Sequence, residues 1–128
     1  MIVGLGLDFT EIPRIRRMAA QWGDRFLHKV FTPGERAFAE KRADSARHYA
    51  ARFAAKEATM KALGVPPGLA WHDMELVGGG NRRPRMVLTG RAEQAAAEMG
   101  VTALHVTLTH TDDLAAAVVV AEAREPRE

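Results

Sequence analysis

The chain of 128 residues contains no cysteine and few aromatic side chains. Without cysteine it has no disulfide, no thiolate metal site and no cysteine nucleophile, so any metal must bind oxygen or imidazole ligands. Aromatic residues make up only 6% of the chain, so the core must be built mainly from alanine, valine and leucine. With 47% hydrophobic and 27% charged residues, the composition is that of one globular domain, of a size that often gains stability by association.

Long apolar runs are also missing. No run approaches the roughly 20 residues that span a bilayer, and the first residues reach Asp8 early and lack the basic flank of a signal peptide. These features predict a cytoplasmic protein that does not enter a membrane. The formal net charge is only +2, which is low for a nucleic-acid-binding domain, and the arginines are not interleaved with aromatic residues.

Positive charge is nevertheless concentrated in two clusters. The first contains Arg14, Arg16, Arg17, Arg25 and Lys29, and the second contains Arg82, Arg83 and Arg85. Such clusters suit an acidic partner or a phosphorylated ligand. Solvated helix faces are the simpler explanation of either cluster taken alone.

Hydrophobic periodicity and helix-breaking residues predict an α+β fold. Strands are predicted at 2–7, 74–77, 85–88, 104–109 and 115–121, and helices after Pro13, after Thr32, over 45–63 and over 90–99. In the helix after Pro13, the core face is expected to carry Ile15, Ala19, Trp22 and Phe26, and the opposite face Arg14, Arg17, Met18, Gln21 and Arg25. The sequence therefore predicts a single compact domain over 1–122, with a mostly antiparallel sheet and a long central helix, and a charged, frayed tail over 123–128.

The first motif that bears on function lies in the N-terminal strand. It contains Gly4 and Gly6 within the strand and Asp8 at its end. A dinucleotide-binding fingerprint would need a further glycine where Phe9 stands, so that class of site is excluded. An aspartate at the end of a rigid strand is a good ligand for a hard cation, although such a residue taken alone is more often a helix cap.

The second motif is the run from Phe53 to Ala62 in the long helix, FAAKEATMKA. Glu57 and Lys61 are four residues apart and share one helix face, so the carboxylate can hold Mg²⁺ while the ammonium group touches phosphate. A surface ion pair worth about 0.3–0.5 kcal/mol is the plainer explanation. Arg52 and Lys56 are expected to form a second cationic edge of the same helix.

The third motif lies at the end of a predicted strand. Alternation places Thr107 and Thr109 on one face, and His110 follows directly after the strand. Hydroxyl groups and an imidazole in this position can bind phosphate. Asp112 and Asp113 are assigned to the following turn, because aspartates in turns usually bond their own backbone.

In their order and spacing, the segments Gly6 to Asp8, Phe53 to Lys61 and Thr107 to His110 resemble the holo-acyl-carrier-protein synthases, the small bacterial class of 4′-phosphopantetheinyl transferases. The resemblance runs from Met1 to about Glu122. It implies an α+β fold and a homotrimer with active sites between subunits. It also implies transfer of the 4′-phosphopantetheine group of coenzyme A to a serine of apo-acyl carrier protein, with adenosine 3′,5′-bisphosphate as the second product.

The resemblance also implies roles for individual residues. Asp8 and Glu57 would ligate Mg²⁺ together with coenzyme A phosphate oxygens and water, and Lys61 would contact the pyrophosphate. His110 and Thr109 would bind a coenzyme A phosphate from the adjacent subunit, and Arg52 is a further candidate ligand of the 3′-phosphate.

Two positions depart from the pattern of the superfamily. Thr107 stands where serine is often found, which keeps the hydroxyl group. Thr10 stands where the larger transferases of the superfamily carry a second acid, so one ligand position of the metal is expected to hold water.

The base that deprotonates the serine is either Glu57, directly or through a metal-bound water, or Asp8. The acidic carrier protein is expected to dock on Arg14, Arg17, Met18 and Arg25.

Two other classes of function fit parts of the sequence. A nucleic-acid-binding module would use the same arginines. A non-catalytic subunit that only binds carrier protein or coenzyme A would leave Asp8 and Glu57 dispensable for binding.

Overall fold

The structure is a computed structural model, and it describes residues 1–124. The first half consists of a strand and four helices: β1 (Ile2–Glu11), α1 (Ile12–Trp22), α2 (Asp24–Val30), α3 (Pro33–Glu40) and α4 (Ser45–Ala62). After a 3-10 turn, the second half contains β2 (Met74–Gly79), β3 (Arg82–Leu88), α5 (Gly90–Glu98), β4 (Val101–His110) and β5 (Leu114–Ala123). The predicted α+β class, antiparallel pairing and long central helix are confirmed.

Strand β5 continues one residue beyond the predicted end of the domain. Ala123 is buried, and its carbonyl oxygen accepts a hydrogen bond of 2.7 Å from the N-terminal ammonium group of Met1. The rest of the predicted tail, 125–128, lies outside the described residues. No helix within residues 1–124 is long and apolar enough to cross a bilayer, and the cytoplasmic location stays a prediction.

The main sheet has three antiparallel strands in the order β1-β5-β4, and β2 and β3 form a separate hairpin. One face of the main sheet packs against α4 and carries the even-numbered residues of β1 from Gly4 to Thr10, including Asp8. The opposite face carries Leu5, Leu7 and Phe9, and these apolar side chains are exposed. The sheet therefore buries one face within the chain and leaves an apolar face uncovered.

Two glycines in β1 allow the backbone of α4 to approach the strand directly. A Cβ atom at Gly6 would lie 1.8 Å from the carbonyl oxygen of Ala58, and one at Gly4 would lie 2.0 Å from that of Ala62. Both distances are far shorter than any van der Waals contact, so only glycine fits. This close packing fixes the height of α4 above β1, and with it the position of Glu57 relative to Asp8.

The helix predicted after Pro13 is interrupted, and one of its expected core residues is exposed. Gly23 has a φ of 55°, which ends α1 at Trp22 and starts α2 in a new direction. Ile15 and Phe26 are buried as predicted, but Trp22 is 51% exposed. The core prediction for Trp22 is wrong because it assumed one continuous helix through Gly23.

The predicted N-terminus of α3 is confirmed in detail. The Thr32 hydroxyl accepts a hydrogen bond from the backbone N–H of Glu35, and the Glu35 carboxylate accepts one from the backbone N–H of Thr32. This reciprocal pair satisfies two donors at the start of the helix. In the hairpin, Gly78 and Gly79 belong to β2, so the turn is shorter than predicted.

The prediction that Lys56 lies on a cationic edge of α4 is wrong. Its ammonium group is fully buried and lies 2.7 Å from Glu35 Oε1 and 2.7 Å from the Val30 carbonyl oxygen. The other Glu35 oxygen accepts a hydrogen bond of 2.9 Å from the backbone N–H of Leu76. The pair thus joins the start of α3, the middle of α4 and β2 inside the core.

Candidate active site

A pair of carboxylates lies where β1 meets α4. Asp8 points from the buried face of β1 toward the helix, and Lys61 Nζ lies 3.1 Å from Asp8 Oδ1 and donates to the Leu7 carbonyl oxygen at 3.0 Å. Burial and the negative charge of the nearby Asp8 carboxylate raise the pKa of the Glu57 carboxyl group. The structure therefore brings together the three residues that the first two motifs predicted.

This pair has the features of a site for a hard cation. Asp8 Oδ2 is buried and has no hydrogen-bond partner within residues 1–124, and the same holds for the hydroxyl oxygen of Thr10. Two carboxylates that share one site repel each other, and the half-exposed Lys61 compensates only one charge. An oxygen-ligated divalent ion such as Mg²⁺ would relieve both conditions.

The described residues supply only part of a full coordination sphere. No group of three metal-ligating side chains occurs within residues 1–124, and the position where larger transferases carry an acid is occupied by Thr10. Mg²⁺ retains several water ligands and is commonly held by one or two carboxylates together with substrate phosphates. The Asp8–Glu57 pair fits that mode of binding.

A second group of candidate residues surrounds a cavity of about 330 Å³ on another side of α4. Arg52, Thr109 and His110 all line it, together with Gly79 and Gly80 of the β2–β3 hairpin. Asp8, Glu57 and Lys61 do not line this cavity. Because Arg52 and Glu57 are five residues apart on α4, they point in different directions, and β5 separates β4 from β1.

Arg52 is held rigidly at the wall of this second cavity. It is only 2% exposed, Nη2 donates to the Gly78 carbonyl oxygen at 2.9 Å, and burial lowers its pKa to about 10. Its guanidinium carbon lies 3.7 Å from the centre of the Phe38 ring, and that of Arg42 lies 3.4 Å from the same centre. Two cations this close to one ring centre must stack on its opposite faces.

Sequence reasoning missed Phe38, Arg42 and His48 in this cluster. His48 lies edge-on to the Phe38 ring at 5.6 Å, and burial together with the neighbouring arginines lowers its pKa. The sequence offered little signal, because Phe38 lies in the last turn of α3 and Arg42 lies two residues beyond the end of that helix. The tertiary contact with Arg52 could not be inferred from these positions.

The third motif has the predicted alternation. Thr107 and Thr109 are both exposed on one face of β4, and His110 is the last residue of that strand rather than the first beyond it. Asp112 and Asp113 lie in the predicted turn. The hydrogen bonds to the turn backbone come from Thr111, whose hydroxyl oxygen accepts from the N–H groups of Asp113 and Leu114.

The predicted docking surface spans α1 and the start of α2, and it is exposed near the carboxylate pair. Arg14, Arg17 and Arg25 are exposed and Met18 is half-buried. Arg14 is close enough to counteract in part the upward shift of the Glu57 pKa. Next to this surface, Arg25 and the exposed Trp22 line a shallow cavity of about 280 Å³.

Comparison with known proteins agrees with this arrangement of motifs. The chain belongs to the 4′-phosphopantetheinyl transferase superfamily, whose family model matches residues 4–119. A curated relative from Anaeromyxobacter dehalogenans, a holo-[acyl-carrier-protein] synthase, is 49% identical, with 98% of this chain and 100% of the relative covered. Within the superfamily the chain groups with these synthases, so the predicted enzyme class, a phosphopantetheinyl transferase, is confirmed.

Solved structures confirm the fold. The acyl carrier protein synthase of Mycobacterium tuberculosis has a TM-score of 0.77 and 38% identity, with 97% of this chain and all of that chain covered. The holo-[acyl-carrier-protein] synthase of Helicobacter pylori in complex with coenzyme A has a TM-score of 0.79 and 26% identity, with 92% and 99% covered.

Proposed function

We propose that this enzyme transfers the 4′-phosphopantetheine group of coenzyme A to a serine of apo-acyl carrier protein in a Mg²⁺-dependent reaction that releases adenosine 3′,5′-bisphosphate. The observation that carries the proposal is the Asp8–Glu57 carboxylate pair, with an unpartnered buried oxygen and Lys61 at its edge. Coenzyme A bound to a relative of the same fold supports the choice of donor.

In this reaction the serine oxygen forms a bond to the β-phosphorus of coenzyme A, and the bond to the oxygen of the leaving bisphosphate breaks. Negative charge spreads over the phosphoryl oxygens, so catalysis depends mainly on positioning and on nearby cations. Asp8 and Glu57 would hold Mg²⁺, which when bound neutralises phosphate charge. The exposed side of the Lys61 ammonium group is available to the pyrophosphate.

The serine proton needs an acceptor, and we assign that role to Glu57, with Asp8 as the alternative. In the metal-free protein, burial and the neighbouring Asp8 carboxylate raise the pKa of Glu57, so its carboxylate takes up a proton more readily than an ordinary glutamate. Asp8 is already engaged by Lys61 at 3.1 Å. The proton would move from the serine hydroxyl to a Glu57 carboxylate oxygen.

The second cavity is proposed to bind the 3′-phosphate end of coenzyme A. Arg52 presents its guanidinium group there, stacked on Phe38, and Thr109 and His110 add a hydroxyl and an imidazole. Arg42 stacks on the opposite face of the same ring and lines an adjacent cavity. Because this cavity is separate from the Asp8–Glu57 pair in one chain, we assign the two clusters to neighbouring subunits that together form one site.

The uncovered apolar face of the main sheet supports this assembly. Leu5 is 65% exposed and Phe9 is 63% exposed, and Leu7 lies between them on the same face. A contiguous apolar surface of this kind on a small domain indicates an interface. We propose that the face packs against other copies of the chain in a homotrimer.

The acidic carrier protein is proposed to dock on the surface formed by Arg14, Arg17 and Met18 of α1 and Arg25 of α2. The position of this surface beside Glu57 would bring a bound carrier close to the carboxylate pair. The exposed Trp22 adds a large apolar contact next to the arginines.

The test is intact-mass spectrometry of an apo-acyl carrier protein incubated with the enzyme, coenzyme A and Mg²⁺. A gain of one phosphopantetheine group, about 340 Da, that disappears in EDTA would support both the reaction and its metal dependence. No gain with several carrier proteins would refute the proposal, and an equal gain in EDTA would refute the metal dependence.

A further inference from the structure

Thr10 carries a buried hydroxyl group that has no partner among the described residues. Its side chain belongs to a residue that is 2% exposed, and its Oγ1 forms no hydrogen bond within residues 1–124. The same holds for Asp8 Oδ2, although the other oxygen of that carboxylate contacts Lys61. Buried polar groups are nearly always hydrogen-bonded, so these two oxygens indicate a ligand that the described chain does not supply.

The sheet around Thr10 offers it one polar neighbour along its own strand, which is Asp8. The two residues lie on the same face of β1, because they are two positions apart in the strand. Across the ladder to β5 they are paired with Ala115 and Ala117, which are buried and apolar. The preceding residue of this face is Gly6, which has no side chain.

Packing alone does not explain a threonine at this position. Valine would fill nearly the same space and would leave no hydroxyl group to be buried without a partner. An unbonded hydroxyl group in the interior lowers stability, whereas a bonded one does not. The hydroxyl group of Thr10 is therefore expected to have a partner in the working enzyme.

One water molecule can join the two oxygens. Side chains two positions apart on a strand are about 7 Å apart, which is too far for a direct hydrogen bond but within reach of two bonds through a water. A buried water needs two to four polar partners. Thr10 Oγ1, Asp8 Oδ2 and the neighbouring Glu57 carboxylate are available, and a hydroxyl group can both accept and donate.

We propose that Thr10 holds a water molecule against the Asp8–Glu57 pair, and that this water serves as a ligand of the divalent cation. This inference rests on the proposed function. A water that ligates a cation directs its hydrogens away from the cation, so it needs an acceptor behind it, and Thr10 Oγ1 supplies one. Thr10 is thus a positioning residue that acts through the water. Loss of such an outer partner typically weakens metal binding about 10- to 100-fold.

The test compares Thr10→Val, which removes the hydroxyl group and nearly keeps the shape, with Thr10→Ser, which keeps the hydroxyl group. The control is Thr59→Val, because Thr59 is also buried but its hydroxyl group already donates to the Ala55 carbonyl oxygen at 2.8 Å. Affinity for Mg²⁺ alone is measured by calorimetric titration and by the rise of Tm with Mg²⁺ concentration. Single-turnover transfer is measured over the same range of Mg²⁺ concentration.

Thr10→Val is expected to bind Mg²⁺ roughly tenfold more weakly, and to need a correspondingly higher Mg²⁺ concentration for half-maximal transfer. Its metal-free Tm should stay at or above the wild-type value, and its KM for the carrier should not change. Thr10→Ser and Thr59→Val should keep Mg²⁺ affinities near that of the wild type.

A wild-type Mg²⁺ affinity in Thr10→Val would overturn the inference. Equal losses in Thr10→Val and Thr10→Ser would overturn it as well, because they would assign the effect to the methyl group. So would a wild-type enzyme that binds no Mg²⁺. Failure of the proposed function is distinguishable: a wild-type enzyme that transfers nothing refutes the reaction, whereas the Mg²⁺ titration needs no transfer and still decides the role of Thr10.

Discussion

The substitution Gly6→Ala tests whether the contact between β1 and α4 sets the geometry of the carboxylate pair. The new Cβ atom would lie 1.8 Å from the Ala58 carbonyl oxygen, so the helix and the strand must separate by more than 1 Å to restore a normal contact. Ala58 is adjacent to Glu57, and Asp8 lies two residues after Gly6 on the same face of β1. The displacement therefore moves the two carboxylates apart.

Two effects of different size are expected from this change. Overpacking of a core contact costs about 1–3 kcal/mol of unfolding free energy. A displacement of about 1 Å between catalytic groups lowers the rate of the chemical step roughly 100-fold. The assay is single-turnover transfer to an apo carrier at saturating coenzyme A, followed by intact mass, with thermal unfolding measured in parallel.

The matched control is Gly23→Ala, which meets no atom within 4 Å but places alanine at a φ of 55°. Its backbone strain lowers stability by about 1–3 kcal/mol, because the combination of φ 55° and ψ −135° suits glycine almost alone. It leaves the contact between α4 and β1 unchanged, so transfer should proceed at nearly the wild-type rate. A folded Gly6→Ala enzyme with wild-type transfer would refute the argument that this glycine positions Glu57.

Three further predictions concern single residues. Burial and Asp8 raise the pKa of Glu57, so folding favours the protonated form of its carboxyl group. The unfolding free energy of the metal-free protein should therefore fall as the pH rises from the ordinary pKa of a glutamate through the raised pKa of Glu57. Glu57→Gln should abolish that fall in differential scanning calorimetry and also the Mg²⁺-induced rise in Tm; a retained Mg²⁺ response would contradict the metal assignment. Lys56→Met should lower the unfolding free energy in urea by about 3–5 kcal/mol, because the buried Glu35 carboxylate loses its ion-pair partner. The added substitution Glu35→Gln should recover part of that loss. A loss below about 1 kcal/mol for Lys56→Met would contradict this account of the pair. Arg52→Ala should raise the KM for coenzyme A at least tenfold and leave that for dephospho-coenzyme A almost unchanged; equal effects on both donors would argue against a 3′-phosphate contact.

The features that the sequence predicts correctly depend on local spacing. Glu57 and Lys61 share a helix face because four residues make about one turn, and Thr107 and Thr109 share a strand face because they alternate. The capping box of Thr32 and Glu35 is likewise contained within four residues. In each case the chain's own geometry brings the groups together before any tertiary contact forms.

The features that the sequence leaves unpredicted depend on partners far apart in the chain. Its position in the helix predicts Lys56 as a surface cation, but Lys56 is buried and forms an ion pair with Glu35, 21 residues earlier in the chain. Arg52 and Arg42 meet only because both stack on Phe38. Helix periodicity shows which residues share a face and does not show what packs against that face.

Trp22 shows a different limit of sequence reasoning. The spacing of apolar residues from Ile15 to Phe26 fits one helix, and a single glycine with positive φ divides it in two. Glycine is tolerated within helices as well as at their ends, so its presence does not decide between these outcomes. The break exposes Trp22 beside the proposed docking surface rather than in the core.

The central claim is that one active site combines Asp8 and Glu57 of one subunit with His110 and its neighbours from the next. The most direct test is coexpression of Glu57→Ala and His110→Ala subunits, each inactive when produced alone. In randomly mixed trimers, half of the subunits keep Glu57 and the other half keep His110. About a quarter of the sites therefore combine an intact Glu57 with an intact His110 of the neighbouring subunit, and transfer near a quarter of the wild-type rate is predicted. No recovery of activity in verified mixed trimers would contradict the shared site and would place all of its residues within one chain.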